Sequence, residues 1–286
     1  MGELLYPEYR SYSETRVIVN NAMMALLAGS RLAGHTLQLT TGSQRTLGEL
    51  FPAVEHIKRF NLRSDAARSL LHDADHHLAS VALPYALATH EDFVMSSIDL
   101  LRSQGFPIRR AGKPIKAWNM HEVLFNSSGY AVPGDLLESF HLLREMRNCT
   151  IHAGGKVQPE LSTRIAAMGA ASTMEWQRLN GQSPSSVVQS GQVTLIAEHI
   201  FTAFAITKNL GREINAALTS AIPSSSWARA AVEDYQGVTS KIRNSSGWRR
   251  SLVGYAQKYY EPAKLTEADL EQAARGLGYW TLATWR

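Results

Sequence analysis

Residues 135–156 constrain the fold of this chain more tightly than any other stretch. Pro133 and Gly134 break the chain before it, Asp135 suits an N-cap, and Gly154 with Gly155 supplies a stop. At roughly 100° per residue, Leu136, Phe140, Leu143 and Ile151 line up as an apolar stripe. Leu142, Met146 and Cys149 form a second apolar edge, and His141, Arg144, Glu145, Asn148 and His152 take the polar side. Two apolar edges let such a helix pack both into its own bundle and against a neighbour. The flanking segments have matching character. Residues 65–103 are helical in pattern, with Pro84 expected to kink or bound them. Residues 193–219 place Leu195, Ile196, His199, Ile200, Ala203, Ile206, Leu210 and Ile214 at threes and fours. The expected fold class is therefore all-α.

Arg147 falls in the middle of the first apolar stripe. Burying an unpaired guanidinium costs at least several kcal/mol, so it requires an anionic partner. A carboxylate of a neighbouring helix would make the arginine structural; a phosphate would make it functional, since guanidinium binds phosphate with two prongs. Five residues on stands His152, a side-chain type suited to proton transfer near neutral pH.

The run Arg147-Asn148-Cys149-Thr150-Ile151-His152 resembles the Arg-x4-6-His motif of HEPN domains, and the following Ala-Gly-Gly-Lys-Val resembles the usual exit from that helix. The resemblance covers residues 65–220. It implies a helical bundle of HEPN type acting as a metal-independent endoribonuclease that leaves 2′,3′-cyclic phosphate ends, in toxin–antitoxin or anti-phage defence. The alternative within the family is a non-catalytic module that binds nucleotide, RNA or a protein partner. In the enzyme reading Arg147 holds the scissile phosphate, His152 is the general acid or base, and Asn148 orients one of them. Arg144 and Lys156 then touch RNA, and Glu91 orients Arg147 or His152. The resemblance implies no cofactor and no metal, with RNA and an antitoxin or defence protein as partners. It also implies a homodimer in which two motif helices meet across a two-fold axis.

Outside the motif helix, residues 104–117 form a loop with Arg109, Arg110, Lys113 and Lys116 and no acid, a candidate phosphate-tracking loop. Lys241 to Tyr260 interleave basic residues, Arg249 and Arg250 among them, with Trp248, Tyr255, Tyr259 and Tyr260. That pattern suits a nucleic-acid strand, but it suits a small helical subdomain with an aromatic core better. Pro223-Ser-Ser-Ser226 reads as a linker. The expected organisation is an N-terminal helical extension over 1–64, a bundle over 65–222 and a C-terminal subdomain over 223–286. Within the extension, residues 1–14 are expected to be loosely packed and residues 15–39 to form a helix broken at Gly29.

The formal charge of +4 permits a polyanionic partner without requiring one. A single cysteine excludes an intrachain disulfide framework and suits a reducing cytosol. No uninterrupted apolar run of about 18 residues occurs. The Asn20-Asn21 pair and Glu3, Glu8 and Glu14 argue against a leader, so a cytoplasmic protein without membrane contact is expected. Two metal readings stand as alternatives: the His72/His76 and Asp73/His77 spacings, and the face of His141, Glu145, Asn148 and His152. Cys149 beside His152 could serve as a thiol nucleophile; a small buried apolar role fits the residue type better.

Overall fold

The computed structural model describes residues 2–108 and 112–281. Among these the chain is all-α, with twelve helices and one two-stranded hairpin. The helices are α1 (Pro7–Gln38), α2 (Leu47–Leu50), α3 (Ser64–His72), α4 (Ala74–Ser103), α5 (Met120–Ser128) and α6 (Gly134–His152). They continue as α7 (Pro159–Ala167), α8 (Ala170–Asn180), α9 (Ala197–Ala221), α10 (Ser224–Val238), α11 (Ser246–Tyr259) and α12 (Glu267–Gly276). In the hairpin, β1 (Val188–Gln189) pairs antiparallel with β2 (Gln192–Val193).

Two compact units emerge, and their bounds do not follow the divisions expected at residues 64 and 222. The first comprises Met1–Thr15, Thr89–Leu137 and Lys208–Arg286; the second comprises Arg16–Ala88 and Glu138–Thr207. Long helices α1, α4, α6 and α9 each contribute residues to both.

In the first unit the N-terminal segment is core, not a loose start. Leu4, Tyr6, Tyr9 and Tyr12 are all buried. Leu4 exchanges two hydrogen bonds with the Asn215 amide, donating to Oδ1 at 2.9 Å and accepting from Nδ2 at 2.7 Å. Arg10 makes a two-pronged pair with Asp234, both contacts at 2.8 Å, and Tyr260 donates to the same carboxylate at 3.0 Å. These partners lie more than 200 residues away in sequence, which is why composition alone misjudged the segment. The Pro223 stretch is likewise no linker: Ile222 is buried and Pro223 caps α10 directly. The tryptophans and tyrosines beyond it form a core, with Trp227, Trp248 and Tyr260 buried and the Tyr235 ring 5.6 Å from Trp248. These aromatics therefore pack as core, but in a core shared with the N-terminal Tyr6, whose ring lies 5.3 Å from Trp227, rather than in a separate C-terminal subdomain.

In the second unit α1 runs unbroken through Gly29, and the helical pattern over 65–103 divides at Asp73, not at Pro84, into α3 and α4. Pro84 lies inside continuous α4. Between Arg16 and Arg31, α1 carries no charged side chain, and its outer face exposes Ile18, Leu26 and Leu32. By length and composition α1 is apolar enough to cross a membrane, with mean hydropathy 1.2 over an 18-residue window that is 11% buried. The Asn pair interrupts the apolar run in sequence but leaves the helix itself apolar. α9 begins at Ala197, later than periodicity indicated, because the His199 ring accepts a hydrogen bond from the Ile196 N–H at 3.1 Å and caps the helix there.

Candidate active site on α6

α6 ends as its sequence requires. Gly154 and Gly155 adopt φ of 58° and 83°, and the Gly155 N–H closes back on the Cys149 carbonyl at 3.0 Å. Such a left-handed exit satisfies the last orphan carbonyls of the helix. The hairpin then secures the exit: Val193 N–H donates to the Gly155 carbonyl at 2.8 Å, and Val157 N–H to the Gly191 carbonyl at 3.0 Å. His152, the last residue of α6, is thus exposed on a tightly held end.

The burial of α6 corrects the sequence reading of its faces. Phe140, Leu142, Leu143, Met146 and Cys149 are all buried, and His141, assigned to the polar side, is buried with them. Ile151 is 51% exposed, and Arg147 and Asn148 are half-buried. Arg147 therefore lies on an edge that opens to solvent toward its C-terminal end rather than inside a buried stripe, and the anomaly of an entombed guanidinium disappears. The second apolar edge of Leu142, Met146 and Cys149 is covered within the chain, so it is not free to meet another copy.

Along this opening edge runs one network of side chains. Arg147 Nη1 lies 3.5 Å from His152 Nε2 and donates to Asn148 Oδ1 at 3.2 Å. Asn148 Nδ2 donates to Glu145 Oε2 at 3.1 Å, and Arg144 Nη2 donates to Glu145 Oε1 at 2.5 Å. The three motif residues are therefore contiguous, and Glu145 anchors them. Its carboxylate, with only 12% of its side chain exposed, sets Asn148 and in turn the Arg147 fork. The sequence offers Glu145 only as a possible metal ligand; its position three residues before Asn148 is the signal for this role. Glu91, expected to orient the pair, belongs to the other compact unit.

Arg144 is bound to Glu145 and half-buried, which removes it from the residues free to meet RNA. Lys156 is exposed just beyond the motif. Lys113 and Lys116 are exposed in the first unit, Lys113 with its Nζ 5.6 Å from the Trp118 ring centre. Arg109 and Arg110 lie outside the described residues. Arg249 is committed to the fold, its guanidinium 4.4 Å from the Trp280 ring centre and bonded to Asn244 at 2.5 Å, whereas Arg250 is exposed.

The Cys149 thiol is buried and accepts from the Gln158 N–H at 3.4 Å, and burial pushes its pKa up. A thiol held in its neutral form is no nucleophile, so the packing role stands. Among the described residues no three His, Cys, Asp or Glu side chains converge on a metal position. His72 closes α3 while His76 lies in α4, so the break at Asp73 denies the pair a common helix face.

One histidine cluster was missed in the sequence. In the first unit the Tyr12 hydroxyl lies 3.0 Å from His90 Nδ1, and His90 Nε2 lies 2.9 Å from His121 Nε2. All three are buried, and desolvation holds His90 neutral, its pKa pushed down to about 3. The cluster joins α1, α4 and α5 as a polar pin within the core.

Compared with known protein families, with curated proteins and with solved structures, the chain matches none.

Proposed function

We propose that this protein is a HEPN-like, metal-independent endoribonuclease whose reacting groups are Arg147 and His152, assisted by Asn148. The observation that carries the reading is the contiguity of these side chains at the exposed end of α6, with Arg147 Nη1 3.5 Å from His152 Nε2. A guanidinium and an imidazole side by side offer what phosphodiester transesterification needs. The Arg147 fork takes the phosphate and offsets charge that develops on its oxygens. His152 accepts the proton of the 2′-hydroxyl as the 2′-oxygen bonds to phosphorus, or returns a proton to the departing 5′-oxygen. Bond formation and cleavage within the RNA leave a 2′,3′-cyclic phosphate. Asn148, held by Glu145 at 3.1 Å, keeps Arg147 in place until phosphate arrives. Lys156 extends the positive surface past the reacting pair.

One Arg–His pair supplies only one proton-transfer group, so the reading includes a homodimer in which two such ends share a groove. With Leu142, Met146 and Cys149 buried, the pairing contact falls to the open edge around Ile151, which is 51% exposed. A non-catalytic module would use the same Arg147 for binding alone.

The test is cleavage of single-stranded and structured RNAs by purified protein in the presence of EDTA. Wild type should cut, and Arg147→Ala and His152→Ala should each lose cleavage while keeping the helical circular dichroism of wild type. Equal activity in both variants removes the residue assignment. An inert wild type that still binds RNA through Arg147 favours the binding module.

A further inference from the structure

A second cationic site lies in the same compact unit as α6 but on other helices. A cavity of about 360 Å³ opens between α1, α3 and the start of α4. Arg31, His35 and Gln38 project from one face of α1 at i, i+4 and i+7, and Arg68 and His72 project from α3 at i and i+4. Each helix thus brings an Arg-x-x-x-His pair to one opening. Gly34 faces Leu71 there, where a Cβ would make ordinary contact at 3.7 Å with the Leu71 Cβ.

The charges in the cavity do not cancel. Its one acid, Asp75, accepts from Arg31 Nη2 at 3.0 Å, with both side chains solvent-accessible. Arg68 Nη1 donates to the Thr41 hydroxyl at 3.2 Å, a neutral partner, and among the described residues no carboxylate lies within ion-pair distance of it. The cavity therefore presents two guanidinium groups, two imidazoles and an amide against one carboxylate. Guanidinium forks match phosphate oxygens, and an imidazole or amide N–H completes the set of donors. No Phe, Tyr or Trp lines the cavity, so its recognition rests on charge and hydrogen-bond donors. We propose that this cleft binds the phosphate of a phosphate-bearing ligand, with Arg31 and Arg68 as its clamps and His35, His72 and Gln38 as additional donors. The phosphate comes either from a small free phosphate compound or from the RNA backbone; the recognising chemistry is the same. This site does not depend on α6 being catalytic.

The test is calorimetric titration of the full chain with inorganic diphosphate and, separately, with a single-stranded oligoribonucleotide lacking terminal phosphates. Wild type should bind diphosphate. Arg31→Ala and Arg68→Ala should each weaken it about tenfold, and Arg68→Lys should weaken it less. Asp75→Asn, which frees Arg31 from its competing carboxylate, should tighten it several-fold. Loss of diphosphate binding alone assigns the cleft to a small ligand, and parallel weakening of the oligonucleotide assigns it to the RNA backbone. In an Arg147→Ala background, Arg31→Ala and Arg68→Ala must still weaken diphosphate binding, which separates this site from α6. The proposal is overturned if wild type binds neither probe at millimolar concentration, if the Arg31→Ala/Arg68→Ala double variant binds diphosphate like wild type, or if Arg147→Ala abolishes that binding. All of these side chains are at least partly exposed, and unchanged thermal melting verifies that each variant folds.

Discussion

Removing the Glu145 carboxylate is the sharpest perturbation of the α6 network. It holds Arg144 at 2.5 Å and Asn148 at 3.1 Å, and only 16% and 12% of the Arg144 and Glu145 side chains are exposed. A pair so far withdrawn from water is screened less than a surface ion pair, which contributes about 0–1 kcal/mol. It is less enclosed than a buried pair, where losing one partner costs about 3–5 kcal/mol. Arg144 Nε is already buried without a partner, so the loss of Glu145 leaves its guanidinium still poorer in acceptors. Glu145→Ala should therefore cost about 2 kcal/mol, and Glu145→Gln about 1 kcal/mol because the amide oxygen still accepts one of the two bonds. Differences in helix propensity among Glu, Gln and Ala are only a few tenths of a kcal/mol, too small to mask this order. Hydrogen exchange of the α6 amides reads the change where it occurs, without requiring both compact units to unfold together. RNA cleavage should fall alongside, since Asn148 loses the anchor that sets Arg147. If Glu145→Ala leaves α6 protection and the urea midpoint as in wild type, the pair is screened by solvent and the positioning argument fails.

Two further outcomes follow from the cores. His90, His141 and His199 are buried, and desolvation is the largest cause depressing each, to about 3, about 4 and about 4. The unfolded chain binds these protons near pH 6.5, so stability is complete above that value and is lost as pH falls toward 4. At pH 5 each histidine should cost about 2 kcal/mol, seen as a lower urea midpoint than at pH 7.5, and a midpoint equal at both values would contradict their neutral burial. Gly211→Ala tests the close packing of α9. The new Cβ would lie 2.6 Å from the Tyr12 Cε1, on a ring stacked 4.3 Å from Phe93 and bonded to His90. Overpacking of about 1–3 kcal/mol should outweigh the gain of about 1 kcal/mol in helix propensity, and a raised melting temperature would show that the ring can yield.

Much of the local architecture was legible in the sequence. The Pro133-Gly134 break and the Gly154-Gly155 stop place the ends of α6 within a residue or so of where they lie. The Thr-x-x-Asp pattern at Thr266–Asp269 forms a capping box at the start of α12, with the Thr266 N–H donating to the carboxylate at 2.9 Å and the Asp269 N–H to the Thr266 hydroxyl at 3.1 Å. The all-α class followed from periodicity. Less legible were the breaks inside long patterns: Asp73 ends α3 without proline or glycine, whereas Pro84, the obvious breaker, sits within α4.

Sequence by itself determined which segments coil, where α6 stops, and that Arg147, Asn148 and His152 fall within six residues on one helix. Those properties come from capping and side-chain spacing, which act over three or four residues and need no distant partner. Tertiary structure decided which edge of α6 faces solvent, that Glu145 bonds Asn148 of the motif, and that the first residues are core. It also joined Arg31 and His35 to Arg68 and His72 in one cleft. Burial and side-chain convergence depend on which helices pack on a given face, and two apolar edges on a wheel do not reveal which of them the rest of the chain will cover.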